Sequence, residues 1–204
     1  MNSDLTASNS PVKTKIVAAT TNVGKLAEMR TILSEFEFVT AAEAGFNDEI
    51  EETGKTFSEN ALLKARTVCR ATGLPALGDD SGLCVDALAG APGIYSARYS
   101  GQGMAANRQL LLRNLQGRTD RSAHFNCAVA LVFPDGREYT AEGQTYGVIT
   151  TAEKGQSGFG YDCLFLSDEL GKTFGEATPA EKNTVSHRGR ALRNLATVIK
   201  GASY

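Results

Sequence analysis

The stretch KIVAATTNVGKLAEMRTILSEF, residues 15–36, sets the fold class. It begins with an apolar run at residues 16–19, continues through a polar turn at residues 20–25, and then repeats apolar side chains at helical spacing. The apolar positions of that last part are Leu26, Met29, Ile32, Leu33 and Phe36. A strand that leads through a polar turn into a helix is a usual unit of α/β proteins.

Similar patterns continue along the chain and mix both kinds of element. Apolar spacing and capping residues predict further helices at residues 56–72, around 110–115, from 178 onward and around 192–199. Apolar runs and alternation predict strands at residues 74–77, 124–133 and 137–149, the last two joined by a Pro-Asp-Gly turn at residues 134–136. We therefore predict an α/β fold in which helices flank a mixed, elongated central sheet.

Length and charge exclude several classes of protein. The chain has 204 residues, 42% of them hydrophobic and 22% charged, which suits one globular unit. Its 21 Lys and Arg residues against 23 Asp and Glu give a net charge of −2. Because no overall positive field is present to hold a nucleic-acid backbone, we expect no nucleic-acid partner, whereas a small anionic ligand remains compatible.

The first residues and the cysteines favour a cytoplasmic protein. Residues 1–14 are polar and aperiodic, so we predict a flexible tail there and a single domain at residues 15–204. The tail lacks a signal-peptide pattern, and no apolar run approaches the roughly 20 residues of a membrane span, so we expect no membrane partner. The four widely spaced cysteines predict buried free thiols rather than zinc or disulfide sites: Cys69, Cys84, Cys127 and Cys163.

The turn at residues 20–25 has the composition of a phosphate-binding site. It lies between a strand and a helix start, where backbone N–H groups favour an anion. Gly24 permits close approach of a ligand, and Lys25 adds a positive charge. An ordinary solvated turn with a helix N-cap is the alternative.

Adjacent carboxylates predict a cation site. Asp79 and Asp80 follow an apolar run, as expected of a site at a strand end, and they repel each other unless a cation or hydrogen-bond donors lie nearby. Mg²⁺ is the natural cation for such oxygen ligands, and the acidic cluster at residues 48–52 can supply another ligand. The alternatives are a turn with side-chain hydrogen bonds at residues 79–80 and a solvated charge run at residues 48–52.

Two further segments suit recognition of a planar base. Residues 158–162 place two aromatic rings and a carboxylate on a glycine-rich loop. Arg188 offers a fixed fork of donors, and His187 beside it is expected to titrate near neutrality. A core anchor for Phe159 and structural roles for His187 and Arg188 are the alternatives.

Six motifs in chain order resemble those of the inosine triphosphate pyrophosphatase family, which hydrolyses dITP, ITP and XTP. They are T-T-N-V-G-K from residue 20, E-E-T-G-K-T-F-x-E-N-A-L-L-K-A from 51, D-D-S-G-L from 79, G-A-P-G-I-Y-S-A-R-Y from 90, G-F-G-Y-D from 158 and E-K-N-x-V-S-H-R-G-x-A from 181. Because all six are collinear, the resemblance covers all of the chain except the tail. Thr21 and Cys163 depart from the family pattern, which commonly has Gly and Pro there.

This resemblance implies two lobes around a nucleotide cleft, a homodimer, and Mg²⁺-dependent release of pyrophosphate that leaves a nucleoside monophosphate. It assigns proton acceptance and Mg²⁺ binding to Asp80, a second metal contact to Glu51 with Glu52 as the alternative, and a substrate contact to Ser81. It also implies that the triphosphate lies against Thr20, Thr21, Asn22, Val23, Gly24 and Lys25, and the base and adjoining groups against Phe159, Gly160, Tyr161, Asp162, Lys182, His187 and Arg188.

Two other functions compete with this expectation. A related pyrophosphatase that selects another modified base would share the same motifs, and a substrate profile distinguishes it. A nucleotide-binding regulator without turnover would keep the phosphate turn and base loop, although the presence of Asp79, Asp80 and Glu51 speaks against it.

Overall fold

The computed structural model describes residues 13–202, which form five α-helices and six strands. The strands are β1 (Lys15–Ala18), β2 (Glu37–Thr40), β3 (Ala76–Val85), β4 (Ser122–Val132), β5 (Glu138–Ile149) and β6 (Phe165–Ser167). The α-helices are α1 (Val23–Ile32), α2 (Phe57–Thr72), α3 (Met104–Asn114), α4 (Pro179–Val185) and α5 (His187–Gly201). Two short 3₁₀ helices, Asp86–Leu88 and Gly93–Arg98, lie between β3 and α3.

All six strands belong to one mixed sheet in the order β2-β1-β3-β4-β5-β6. β1 runs parallel to both β2 and β3, whereas β3, β4, β5 and β6 pair antiparallel in succession. The three long strands β3, β4 and β5 extend the sheet well beyond the short β1. The predicted α/β fold with a mixed, elongated sheet and flanking helices is confirmed.

Alternating side chains place helices on both faces of this sheet. Ile16, Ala18 and Leu77 point to the face that α1 and α5 cover, whereas Val17 and Ala19 point to the face that α2 covers. Strands that are buried on both faces read as continuous apolar runs, which explains the sequence of residues 16–19.

A third apolar cluster lies at the other end of the long strands. It joins Leu83 and Val85 of β3 with Leu111 of α3 and with the rings of Phe165 and Phe174, whose centroids are 5.1 Å apart and whose planes are tilted by 47°. The long strands therefore carry apolar packing at both ends, and the candidate site lies on β3 between them.

The predicted strand at residues 74–77 is too short and begins too early. β3 covers Ala76–Val85, and its ladder with β4 continues through Asp79, Asp80 and Ser81. Glycines allow this, since a Cβ at Gly78 would collide with the Ala61 carbonyl of α2 and one at Gly82 with the Gly93 carbonyl. The carboxylates therefore lie in the middle of a strand and not at its end.

Other predictions met different outcomes. The helix start at Thr178 is confirmed, with a capping box that links Thr178 to Glu181. β2 and β6 were not predicted, nor was the 3₁₀ helix Gly93–Arg98. Cys69 and Cys127 are buried free thiols as predicted, whereas Cys84 and Cys163 are partly exposed.

The predicted tail and the predicted domain bounds are not tested by the structure. The flexible tail at residues 1–14 falls almost entirely on residues 1–12, outside the described part of the chain. The assignment of residues 15–204 to one bilobed domain likewise stays a prediction. Within residues 13–202, no helix is both long and apolar enough to cross a membrane.

Candidate active site

A cavity of about 170 Å³ lies where the start of α1, the middle of β3, the loop before β6 and the junction of α4 with α5 meet. Eleven predicted site residues line it: Asn22, Lys25, Asp80, Ser81, Phe159, Gly160, Tyr161, Asp162, Lys182, His187 and Arg188. Five predicted site residues are not among those lining it: Thr20, Thr21, Val23, Gly24 and Glu51. Segments distant in sequence thus converge on one concave site.

The turn before α1 is held by its own side chains. Asn22 caps the helix, because its Oδ1 accepts hydrogen bonds from the backbone N–H groups of Gly24 at 2.9 Å and Lys25 at 3.1 Å. The Thr20 hydroxyl accepts from the N–H of Asn22 at 3.1 Å. The side chain of Val23 is 82% exposed, so the turn presents Asn22 and Lys25 to the cavity and not the whole segment.

Gly24 keeps the turn in contact with the base loop. A Cβ at this position would lie 2.9 Å from two ring carbons of Phe159, closer than real Cβ contacts. A side chain here would therefore displace Phe159 from its position at the cavity.

Asp79 lies at the centre of a buried ion cluster, the Asp79 cluster, formed with Lys25, Glu28 and Arg188. Its carboxylate contacts Lys25 Nζ at 2.5 Å and Arg188 Nε at 2.6 Å. The buried Cys127 thiol donates to the same carboxylate, with Sγ 3.2 Å from Oδ2. Burial opposes ionisation, but Arg188 and Lys25 outweigh it and hold the pKa of Asp79 well below its usual value.

Glu28 is a member of this cluster that the sequence interpretation missed. Its carboxylate contacts Arg188 Nη1 at 2.5 Å and Lys182 Nζ at 3.2 Å. It lies one helical turn after Lys25 on α1, and that spacing of three was the available signal. Glu28 thus connects α1 to both α4 and α5.

Asp80 points away from Asp79 into a second group, the Asp80 cluster, formed with Glu52, Asn60 and Lys64. Its oxygens accept hydrogen bonds from Asn60 Nδ2 and Lys64 Nζ, each at 3.1 Å. Burial and the nearby charge of Glu52 raise the pKa of Asp80 above its usual value, against the effect of Lys64. Asp80 is therefore the more basic of the two adjacent carboxylates.

Asn60 was also missed from the sequence, although it lies in one of the motifs. Asn60 and Lys64 are four residues apart on α2 and thus share a helix face. Asn60 Oδ1 accepts from the N–H of Gly54 at 2.8 Å, which ties the segment before α2 to the site.

Glu52, and not Glu51, reaches the cavity. Glu52 lines it and contacts Lys64 Nζ at 2.8 Å and Arg98 Nη1 at 2.8 Å, whereas the side chain of Glu51 is exposed. Of the two alternatives for the second metal contact, the geometry favours Glu52.

The Asp80 cluster contains carboxylate oxygens that suit a divalent cation. Within residues 13–202, no group of three or more His, Cys, Asp or Glu side chains is arranged as a complete metal site. However, Asp80 and Glu52 both contact one ammonium, that of Lys64, so two carboxylates already converge on a single positive charge. Mg²⁺ uses one or two protein carboxylates together with substrate phosphates and water, and the residues present fit that pattern.

The loop before β6 encloses the other end of the cavity. Lys182 Nζ lies 4.8 Å from the centroid of the Phe159 ring and 2.8 Å from an oxygen of Asp162. The same oxygen accepts from the N–H of Phe159 at 2.8 Å, which fixes the loop. Tyr161 is buried, and its hydroxyl donates to the Ser96 carbonyl at 2.9 Å, so its ring is an anchor and Phe159 is the ring available for stacking.

His187 is a neutral side chain here, and the expectation that it titrates near neutrality was wrong. Burial, with Arg188 and Lys182 nearby, lowers the pKa of His187 well below its usual value. Its ring stacks on Phe125, with centroids 4.7 Å apart and planes 13° from parallel. A neutral imidazole in this position can offer one donor and one acceptor.

Arg188 is fully buried and held from several sides. Its guanidinium donates to Asp79, Glu28 and Ser81 through four hydrogen bonds, one of them from Nη2 to the Ser81 hydroxyl at 2.8 Å. A guanidinium has five N–H donors, so the hydrogen bonds within residues 13–202 leave one N–H, on Nη1, of a residue that lines the cavity.

Known proteins resemble this chain over nearly its full length. A model of the Ham1 family matches residues 16–198. A dITP/XTP pyrophosphatase of Haemophilus influenzae is 52% identical over 195 residues, which cover 92% of this chain and 100% of that protein. A dITP/XTP pyrophosphatase of Geobacter sulfurreducens is 50% identical over 188 residues, covering 89% and 94%.

Solved structures resemble it in the same way. A HAM1 protein from Coxiella burnetii matches with a TM-score of 0.83 and 43% identity, covering 92% of this chain and 99% of that one. A nucleoside-triphosphatase described as a dITP/XTP pyrophosphatase, from Mycobacterium abscessus, matches with a TM-score of 0.72 and 46% identity, covering 89% and 98%. The resemblance drawn from the six motifs is confirmed, and the chain belongs to the Ham1 family.

Proposed function

We propose that this protein is a nucleoside triphosphate pyrophosphatase that hydrolyses dITP, XTP and ITP to the nucleoside monophosphate and pyrophosphate with Mg²⁺. The observation that carries the proposal is a cavity lined by the carboxylate of Asp80, the ammonium groups of Lys25 and Lys182 and the ring of Phe159. The names of the relatives from Haemophilus influenzae and Geobacter sulfurreducens support the choice of substrates.

At the phosphate end, we assign the triphosphate to the surroundings of Lys25 and Lys64. Both ammonium groups already contact carboxylates beside the cavity, so each can also neutralise charge on phosphate oxygens. Asn22 and Lys25 line the cavity, and Lys64 contacts Glu52 and Asp80, which line it too.

Asp80 is the proposed catalytic residue. It lines the cavity between Asn60 and Lys64, which hold its two oxygens, and it orients and deprotonates the water that attacks a nucleotide phosphorus. Asp80 and Glu52 are the residues that would hold Mg²⁺, which when bound polarises phosphate oxygens and lowers the pKa of water. The phosphoric anhydride bond breaks as the new P–O bond forms, and pyrophosphate leaves.

At the base end, we assign recognition to Phe159, His187 and Arg188. Phe159 supplies a face for stacking, with Lys182 on its ring. Hypoxanthine and xanthine present an acceptor at C6 where adenine presents an amino group, so the remaining N–H of Arg188 favours the 6-oxo bases. A buried donor that meets another donor discriminates by up to about 10⁴-fold.

The proposal includes a homodimer in the cytoplasm with no nucleic-acid or membrane partner. The net charge of −2 supports the absence of a nucleic-acid partner. Size-exclusion chromatography with light scattering tests the dimer, which a mass near the chain's 21.6 kDa would contradict.

The test is product analysis with ITP, XTP, dITP, GTP and ATP in the presence of Mg²⁺. We expect pyrophosphate and the monophosphate from the first three substrates and much slower release from ATP, because adenine presents a donor at C6. The rate with GTP shows whether the site also excludes the 2-amino group of guanine. Release of orthophosphate instead of pyrophosphate would contradict the reaction. Tight binding of ITP without any turnover would favour a regulator, and equal rates on all five would contradict the proposed base recognition.

A further inference from the structure

Arg98 lies outside the cavity but contacts a residue that lines it. It ends the 3₁₀ helix Gly93–Arg98, and its Nη1 lies 2.8 Å from Glu52 Oε2. Its guanidinium carbon also lies 5.4 Å from the centroid of the Tyr95 ring, so the side chain is supported by its own helix. Its side chain is 45% exposed, and it is not among the residues that line the cavity.

The backbone that carries Arg98 is well anchored. The Ser96 hydroxyl accepts from the N–H of Leu83 at 2.9 Å and donates to the Gly93 carbonyl at 2.6 Å, which ties the 3₁₀ helix to β3. The Ser96 carbonyl accepts from the Tyr161 hydroxyl at 2.9 Å. Arg98 therefore projects from a fixed platform.

Glu52, in contrast, lies on a segment without regular structure. Residues 47–54 belong to neither a helix nor a strand, so the direction of this carboxylate depends on its side-chain partners. Its two oxygens are divided between two cations, with Oε1 on Lys64 at 2.8 Å and Oε2 on Arg98 at 2.8 Å. Burial opposes ionisation of Glu52, but Lys64 and Arg98 outweigh it and lower its pKa.

The two partners of Glu52 differ in what they can do when substrate binds. Lys64 also contacts Asp80 at 3.1 Å, so a cation held by Asp80, or phosphate beside it, would compete for the contacts of Lys64. Arg98 does not share Asp80: within residues 13–202 its guanidinium contacts Glu52 and the Tyr95 ring. If Lys64 turned towards phosphate, Arg98 would be the remaining side-chain partner of Glu52 among these residues.

We propose that Arg98 is a positioning residue that holds Glu52 in the orientation needed to share a divalent cation with Asp80. This inference rests on the proposed function, because it concerns the same site. The guanidinium keeps Oε2 and leaves Oε1 to face the cation. Residues that orient a metal ligand in this way typically change metal affinity by about 10- to 100-fold when they are removed.

Metal binding by the full-length protein tests the proposal. We would measure Mn²⁺ binding by electron paramagnetic resonance, with inorganic pyrophosphate present, for Arg98→Ala, Arg98→Lys and the unmodified protein. Arg98→Ala is expected to raise the Mn²⁺ dissociation constant by about 10- to 100-fold. Arg98→Lys should raise the Mn²⁺ dissociation constant by a smaller factor, since lysine keeps the positive charge but not the planar guanidinium.

Arg66→Ala is the matched control. This substitution removes an ion pair in which Arg66 and Glu138 lie 2.6 Å apart. The Arg66 side chain is 50% exposed, a fraction close to the 45% of Arg98. The control should leave the Mn²⁺ dissociation constant unchanged. Thermal unfolding of each variant verifies that it folds, and Arg98→Gln replaces Arg98→Ala if the latter does not.

Activity gives a second readout. With ITP, Arg98→Ala should need more Mg²⁺ for half-maximal rate by the same factor, while kcat at saturating Mg²⁺ stays near that of the unmodified protein. An unchanged Mn²⁺ dissociation constant would overturn the proposal, as would a fall in kcat that no Mg²⁺ concentration restores. If the unmodified protein fails to hydrolyse ITP, the proposed function fails while the Mn²⁺ measurement still decides the role of Arg98.

Discussion

Asp79 and Asp80 are neighbours in the chain but have opposite surroundings. Because successive residues of a strand point to opposite faces, Asp79 faces the Asp79 cluster and Asp80 faces the Asp80 cluster. Asp79 is fully buried, contacts two cations and has a pKa well below its usual value. Asp80 contacts one cation, faces the cavity and has a raised pKa.

The difference shows how one strand places a fully buried, doubly paired carboxylate on one face and a carboxylate that lines the cavity on the other. The positive charges of Arg188 and Lys25 favour the ionised form of Asp79, whose carboxylate contacts both side chains. Asp80 and Glu52 share Lys64, with Arg98 at the edge, so this side can still accept a cation. Paired environments that push two carboxyl pKa values apart are typical of acid–base sites.

The largest effect on folding is expected from Asp79→Asn. Removal of this charge leaves Lys25 and Arg188 without their shared partner in a buried place, which costs about 3–5 kcal/mol of unfolding free energy. Urea denaturation measures it. Asp135→Asn, which alters an exposed pair with Arg137, is the control and should change little. Equal stability of the Asp79 and Asp135 variants would show that Asp79 does not hold the cluster.

The next effect concerns the base end. Phe159→Ala removes the ring that lies beside Lys182, and loss of base stacking costs about 1–3 kcal/mol of binding free energy. We expect a higher KM for ITP with a smaller change in kcat. Steady-state kinetics measure both, with Phe133→Ala as a control whose ring does not line the cavity. A normal KM in the Phe159 variant would remove this residue from base recognition.

Some elements of the fold could be predicted from the sequence and others could not. The strand and helix of residues 15–36 and the capping box at Thr178 were predictable because local spacing and capping chemistry determine them. β2 and β6 were not, because strands of four and three residues are too short to show alternation.

The motifs predicted most residues of the site but not the side-chain contacts between its helices and strands. Eleven of the predicted residues line one cavity, yet Glu28 and Asn60 gain their roles only from the packing of α1 and α2. The choice between Glu51 and Glu52 depends on the path of an irregular segment, which no periodicity specifies.

A pH-dependent effect follows from His187. Its folded-state pKa is lowered, so the unfolded chain binds a proton that the folded protein excludes, and stability is lost as pH falls below about 6.5. The contribution is at most about 1.4 kcal/mol per pH unit. His187→Gln should make the unfolding free energy depend less on pH in this range than it does in the unmodified protein. Equal slopes in the variant and the unmodified protein would contradict a buried neutral His187.

Asp80→Asn tests the division between the two carboxylates most directly. Pyrophosphate release from ITP with Mg²⁺ and the free energy of unfolding in urea would be measured on the same preparation. We predict that turnover falls by at least about 10²-fold while the unfolding free energy does not fall, since Asp80 is ionised against its burial. Turnover that survives the substitution, or a loss of stability equal to that of Asp79→Asn, would contradict the assignment of chemistry to Asp80 and support to Asp79.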